Sequence, residues 1–164
     1  MLRKLLNKFG ATVYLQIWEN RLKLSDIRTR VAFDEKPLVA LESDSKGSLS
    51  IVAVGNSAAA AIGNNIKVIN PFSHPRVLFS DFMVGEKLLQ YALRETLSNK
   101  AFTPAPRLVV HPMEKTEGGL TMIEVRAFKE LALGAGATDA VVYQGRVLST
   151  QEIDFKSLKQ QTDE

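Results

Sequence analysis

Apolar and polar residues alternate near the start of the chain, in "ATVYLQIWENRLKLSDI". Val13, Leu15 and Ile17 take one side, and Tyr14, Gln16 and Trp18 take the other. Glu19-Asn20 can turn the chain, and Leu22, Leu24 and Ile27 follow. A period of two on both sides of a turn predicts a β-hairpin over 12–18 and 21–27. Further strand-like runs fall at 29–33, 37–42 and 49–54, with Asp34-Glu35-Lys36-Pro37 and Asp44-Ser45-Lys46-Gly47 as their turns. "GNSAAAAIGNN" predicts a short helix capped by Asn56 or Ser57 and ended by Gly63, and "IKVINP" is again a strand.

The period then changes. In "FSDFMVGEKLLQYALRETL", Phe82, Leu88, Leu89, Ala92, Leu93 and Leu97 recur at helical spacing, with Ser80 or Asp81 as N-cap. "SNKAFTPAP" is a loop and "RLVVHP" a buried strand. "LTMIEVRAFKELALGAG" is a helix that starts at Thr121, with Glu124 three positions on as a capping box. "TDAVVY" is the last strand, and "TQEIDFKSLKQQTDE" is a polar tail or weak helix. Strands first, then strand and helix in alternation, imply an α/β fold with a mixed sheet and a small subdomain over about 35–70. The domain proper covers 10–143, followed by a tail over 144–164.

The first nine residues, "MLRKLLNKF", form a separate pattern. Leu2, Leu5, Leu6 and Phe9 recur at i, i+3, i+4, i+7, while Arg3, Lys4, Asn7 and Lys8 take the opposite face. This is a cationic amphipathic helix that Gly10 can end. So short a helix needs a core, a partner or a membrane surface to bury its leucines.

Composition narrows the function classes. A chain of 164 residues is one domain's worth, and a net charge of +3 is too small to argue for nucleic acid. The absence of cysteine excludes disulfides, thiolate metal sites and cysteine nucleophiles. No apolar run reaches the roughly 20 residues of a membrane span, and no signal-peptide core is present, so the expected location is the cytoplasm. Catalytic patterns are sparse. His111 ends a strand, where α/β folds place ligand sites, and the alternative is a satisfied structural histidine. His74 sits in a turn and is expected to be solvated. "GGLTMIE" offers backbone N–H groups at a helix start, an anion site in principle. Tyr14 and Trp18 share one strand face and suit either packing or base stacking.

Several phrases, in order, resemble the first half of the MreB family of bacterial rod-shape actins, within the actin/sugar-kinase/Hsp70 ATPase superfamily. "RVAFDEKPLVALES" is similar to the family's third strand, its Asn-Glu-Pro turn and the strand after it. "IVAVGNSAAAAIGNNIKVINPFSHPRVLFSDFMVGEKLLQYAL" resembles the small outer subdomain and the following helix. "PRLVVHPMEKTEGGLTMIEVRAFKELALGAGATDAVVY" resembles the strand, loop, helix and strand beyond. The resemblance runs from residue 1 to about 143. It implies a ribonuclease-H-like, actin-type ATPase domain with a mixed five-stranded sheet, flanking helices and a small inserted subdomain.

The resemblance also implies where chemistry would sit. The family's first hairpin reads Asp-Leu-Gly-Thr, with Asp serving the metal and Gly-Thr the phosphates. Here the matching run is Gln16-Ile17-Trp18-Glu19. An amide replaces the carboxylate, Trp18 fills the glycine's space, and Glu19 adds negative charge where phosphate would lie. The family's Glu-Glu-Pro after the last strand is Gln144-Gly145-Arg146 here. Glu124 matches the glutamate that polarises water, and it also has its capping role. The expectation is therefore a non-enzymatic, degenerate ATPase fold with no cofactor and no metal.

On this reading the chain is a scaffold or cytoskeletal partner in bacterial cell shape or envelope organisation. Its expected partners are a second copy or a cytoskeletal or envelope protein. An anionic membrane surface is the other expected partner, met by Leu2, Arg3, Lys4, Leu5, Leu6, Lys8 and Phe9 on the inner face of the cytoplasmic membrane. Tyr14, Trp18, Ile153, Phe155 and Leu158 are the expected interface residues, for the folded-back tail or for a second copy. No nucleic-acid partner is expected, because Gln16 holds the place of a nuclease's leading carboxylate. The alternative is a divergent ATP-binding switch or ATPase that uses Glu124, His111 and the Thr116–Gly119 loop.

Overall fold

The structure is a computed structural model that describes residues 10–30, 32–97 and 104–163. The amphipathic segment 1–9, with the membrane-binding residues expected there, lies outside the described residues. Among those described, no helix is long and apolar enough to cross a membrane.

The opening hairpin is β1 (Thr12–Ile17) and β2 (Leu22–Asp26), continued by β3 (Ala32–Glu35). After a small subdomain come helix α1 (Phe82–Thr96), β7 (Arg107–Pro112), α2 (Met122–Gly134), β8 (Asp139–Val142) and α3 (Phe155–Asp163). The main sheet has the order β3-β2-β1-β7-β8. β2 runs antiparallel to both β1 and β3, while β1, β7 and β8 run parallel. This is the mixed sheet that the pattern implied, with the five strands and flanking helices that the family resemblance implied.

Every residue of β1 is buried, because it is the central strand and both faces of the sheet are covered. On one face Val13, Leu15, Ile17, Leu108, Val110 and Val142 pack with Leu88, Leu89, Phe128 and Leu131 from α1 and α2. Asp81 caps α1 by accepting from the Val84 N–H at 3.0 Å. Ser80, the other candidate, bonds the Asn70 carbonyl instead. On the other face Tyr14, Val109 and Val141 pack with Ile153, Phe155 and Leu158. The polar tail is thus a helix with one apolar stripe, laid over the second face.

The small subdomain is a separate sheet of β4 (Val39–Ser43), β5 (Leu49–Val54) and β6 (Ile66–Ile69), in the order β5-β4-β6. Two local expectations are corrected here. The third strand is not 29–33 but Ala32–Glu35. Asp26 accepts from the Arg28 N–H at 2.9 Å and Arg30 adopts a positive φ of 59°, so 27–29 form a turn. Pairing with β2, from Ser25↔Ala32 to Leu22↔Glu35, then sets the register. Asp34 and Glu35 therefore belong to the strand rather than to its turn.

The alanine-rich run is a 3-10 helix, Gly55–Ala60, that ends at Ala61 with no side-chain cap. Asn56 and Ser57 do not cap it. The Asn56 Oδ1 accepts from the Lys36 N–H, and the Ser57 hydroxyl donates to the Val54 carbonyl. Gly55 has a φ of +70°, and a Cβ there would lie 1.8 Å from the Glu35 carboxylate, so only glycine suits this junction.

Candidate functional site

The parallel strands β1, β7 and β8 end together, and ligands of α/β sheets bind outside such ends. There β1 reverses over Trp18–Arg21, with the Trp18 N–H donating to the Arg21 carbonyl at 2.9 Å. One residue beyond β7, the Met113 N–H donates to the Ile17 carbonyl at 2.9 Å, which holds the following loop against the hairpin.

Glu19 is the hub of this end. Its carboxylate accepts from the Lys115 ammonium at 2.8 Å and from the Ser73 hydroxyl at 3.0 Å. These bonds, the lysine's first, lower its pKa below the ordinary 4.5. Its backbone N–H donates to the Glu114 carboxylate at 2.7 Å, and its carbonyl accepts from the Asn70 amide at 2.7 Å. Lys115 also donates to the His74 carbonyl. The turn is tied to two other loops, and the backbone N–H that would meet an anion already meets a carboxylate. Two carboxylates and one ammonium share the space. A further anion brought to this turn would be repelled by these carboxylates.

Gln16 is buried, and its amide donates weakly to the Met113 sulfur at 3.9 Å. Trp18 is half-exposed, with the Arg21 guanidinium 5.2 Å from its ring centre. Arg21 in turn grips Asp34 through two bonds of 2.7 and 2.6 Å. The pair lowers the Asp34 pKa, the hydrogen bond being the main cause.

His111 lies beside Gln16 in the β1–β7 register, on the same face of the sheet as Tyr14, and is buried. Its Nε2 lies 3.1 Å from the Gly145 carbonyl, which can only accept, so Nε2 carries the proton. Its Nδ1 then accepts from the Tyr14 hydroxyl at 2.6 Å, and that hydroxyl accepts from the Leu148 N–H at 3.3 Å. Burial lowers the His111 pKa and raises that of Tyr14. His74 is exposed, and its Nδ1 accepts from the Arg76 N–H.

Glu124 is turned onto its own helix start. Its carboxylate accepts from the Thr121 N–H at 2.8 Å and the Thr121 hydroxyl at 2.7 Å, and its N–H donates back to that hydroxyl at 3.2 Å. In the neighbouring glycine loop, the Gly119 N–H bonds Thr116 and the Leu120 N–H bonds the Gln144 side chain. A cavity of about 370 Å³ opens beside this loop, lined by His111, Pro112, Met113, Thr116, Gly119, Gln144 and Gly145. None of these residues supplies a carboxylate for a divalent cation or an ammonium for a phosphate. Among the described residues no group of three or more His, Asp or Glu side chains forms a metal site.

The candidate residues thus fall into separate groups. Gln16, Trp18 and Glu19 lie at one strand end. Tyr14, Ile153, Phe155 and Leu158 are buried together on the face under α3. Glu124 is occupied at its cap. The partners of Glu19, namely Lys115, Ser73, Asn70 and Glu114, were not read from the sequence. The available signal was an acid in a hairpin turn with one lysine in the loop after the parallel neighbour strand.

The family model described as MreB/Mbl protein matches residues 28–150, a span that begins after β2 and leaves the hairpin outside it. The chain is 36% identical over 121 residues to the cell shape-determining protein MreB of Haemophilus influenzae, covering 71% of this chain and 33% of that protein. It is 35% identical over 119 residues to MreB of Escherichia coli K12, covering 70% and 32%. The chain therefore spans about a third of the length of these curated relatives. The crystal structure of MreB5 of Spiroplasma citri bound to ADP matches with a TM-score of 0.60 at 18% identity, over 82% of this chain and 38% of that one. That likeness carries the actin-type fold.

Proposed function

Because this chain belongs to the MreB/Mbl family, we propose that it is a non-catalytic, actin-fold scaffold or cytoskeletal partner in bacterial cell-shape organisation. The observation that carries this reading is the closure of the first hairpin turn. Glu19, paired with Lys115 and Ser73, fills the place where a nucleotide's phosphates would need free N–H groups and a positive field. Gln16 offers no charge to a cation, and Glu124 is committed to its cap.

The working location is the cytoplasm, at the inner face of the membrane through residues 1–9. Partners are a second copy or an envelope-associated cytoskeletal protein. Isothermal titration of the folded chain with magnesium and ATP tests the nucleotide claim, and a flat titration is expected. Micromolar binding that is lost in Glu124→Ala would overturn it in favour of a divergent ATP-dependent switch.

A further inference from the structure

β5 is the outer strand of the small sheet and bonds to β4 alone. Ile51, Val52, Ala53 and Val54 all line one cavity of about 460 Å³. Successive side chains of a strand point to opposite faces. Val52 is the extra residue of a bulge, which interrupts that alternation, and the edge of β5 away from β4 has N–H and C=O groups with no strand partner among the described residues. The opposite wall is one stripe of α1, with Lys87, Tyr91 and Arg94 spaced at i, i+4 and i+7. Lys87 and Arg94 are exposed, and neither forms an ion pair among the described residues. No carboxylate lines the cavity.

We infer that this groove takes an extended acidic peptide segment of a partner protein, added as a strand along β5 with its carboxylates on Lys87 and Arg94. Charge selects the occupant, because two unpaired cations flank an open strand edge with no acid to neutralise them. Spacing agrees. Seven helical residues separate the cations by about 10 Å, and alternate residues of a strand lie about 7 Å apart, within reach of two flexible side chains. The exposed Ile51 and Val52 give an apolar residue between the acids a surface to cover. The register shift at Ala40/Leu41 makes Val52 an extra residue in the ladder, so the added strand is short. The inference does not depend on the state of the nucleotide site.

The test uses the full chain and the fluorescein-labelled peptide Glu-Thr-Glu-Val-Glu-Thr-Glu, read by anisotropy and by amide exchange of 49–54. Saturable binding is expected, with slowed exchange in β5. Lys87→Glu with Arg94→Glu should weaken it about tenfold or more and transfer preference to the Lys-for-Glu peptide. Lys87→Gln with Arg94→Gln serves if the first pair disturbs the fold seen by circular dichroism. Absence of saturation at millimolar peptide, unchanged affinity in both pairs, or equal binding of an N-methylated peptide overturns strand addition. A doubled mass in sedimentation, lost in the charge variants, also overturns it, since a second copy would then occupy the groove.

Discussion

His111 shows what one residue's surroundings decide. Its sequence position at a strand end fits a ligand site and a structural role equally well. In the fold, both ring nitrogens are engaged, one by Tyr14 and the other by Gly145. Burial holds its folded pKa below the ordinary 6.5. Below pH 6.5 the unfolded chain therefore binds a proton that the folded chain refuses. Stability is fully present above pH 6.5 and falls as pH drops toward the folded value. Urea denaturation at pH 7 and pH 5 should show this loss, and His111→Gln should shrink the difference between the two. An equal pH dependence in wild type and variant would assign the loss to other groups. Glu19 is the parallel case. The sequence shows an acid in a turn, and the fold supplies the lysine that neutralises it.

At the scale of elements, the tail gains most from the structure. Its polar letters hide one apolar stripe, Ile153, Phe155 and Leu158, each less than a tenth exposed. The tail meets the Tyr14–His111 pair through Gly145 and Leu148, and Arg146 with Ser149 holds Glu152 in its turn, lowering that carboxyl to about 2. Farther on, the Arg107 guanidinium lies 5.2 Å from the Phe155 ring. Phe155→Ala should cost about 3 kcal/mol in chemical denaturation. Exposed Lys156→Ala should stay within about 0.5 kcal/mol. Equal costs would mean that α3 is not part of the cooperative fold. The strands and two longer helices were legible because their periods match their packing. The third strand and the 3-10 helix were misplaced because an Asp26 turn and cross-strand pairing, neither periodic, set their limits.

At the scale of the whole molecule, the cationic segment 1–9 predicts membrane contact that is weak for a single copy. The intact chain should sediment with anionic liposomes, less so at high salt, and Leu5→Glu with Leu6→Glu should remain in the supernatant. Equal sedimentation would remove the membrane from the proposal. Alternation in the strands, the helical stripes, the Thr121–Glu124 box and the ordered phrases shared with the MreB family determine an α/β architecture from sequence. Each of these depends on residues close in sequence, or on a fold whose order of elements is shared. Sequence alone also placed Gln16 and Trp18 on the first strand and Glu19 in the turn that follows it. Only the tertiary structure decided what those residues meet: Lys115 is 96 positions from Glu19, and Leu148 is 134 positions from Tyr14. Contacts at such separations come from strand pairing and packing, and no local pattern carries them.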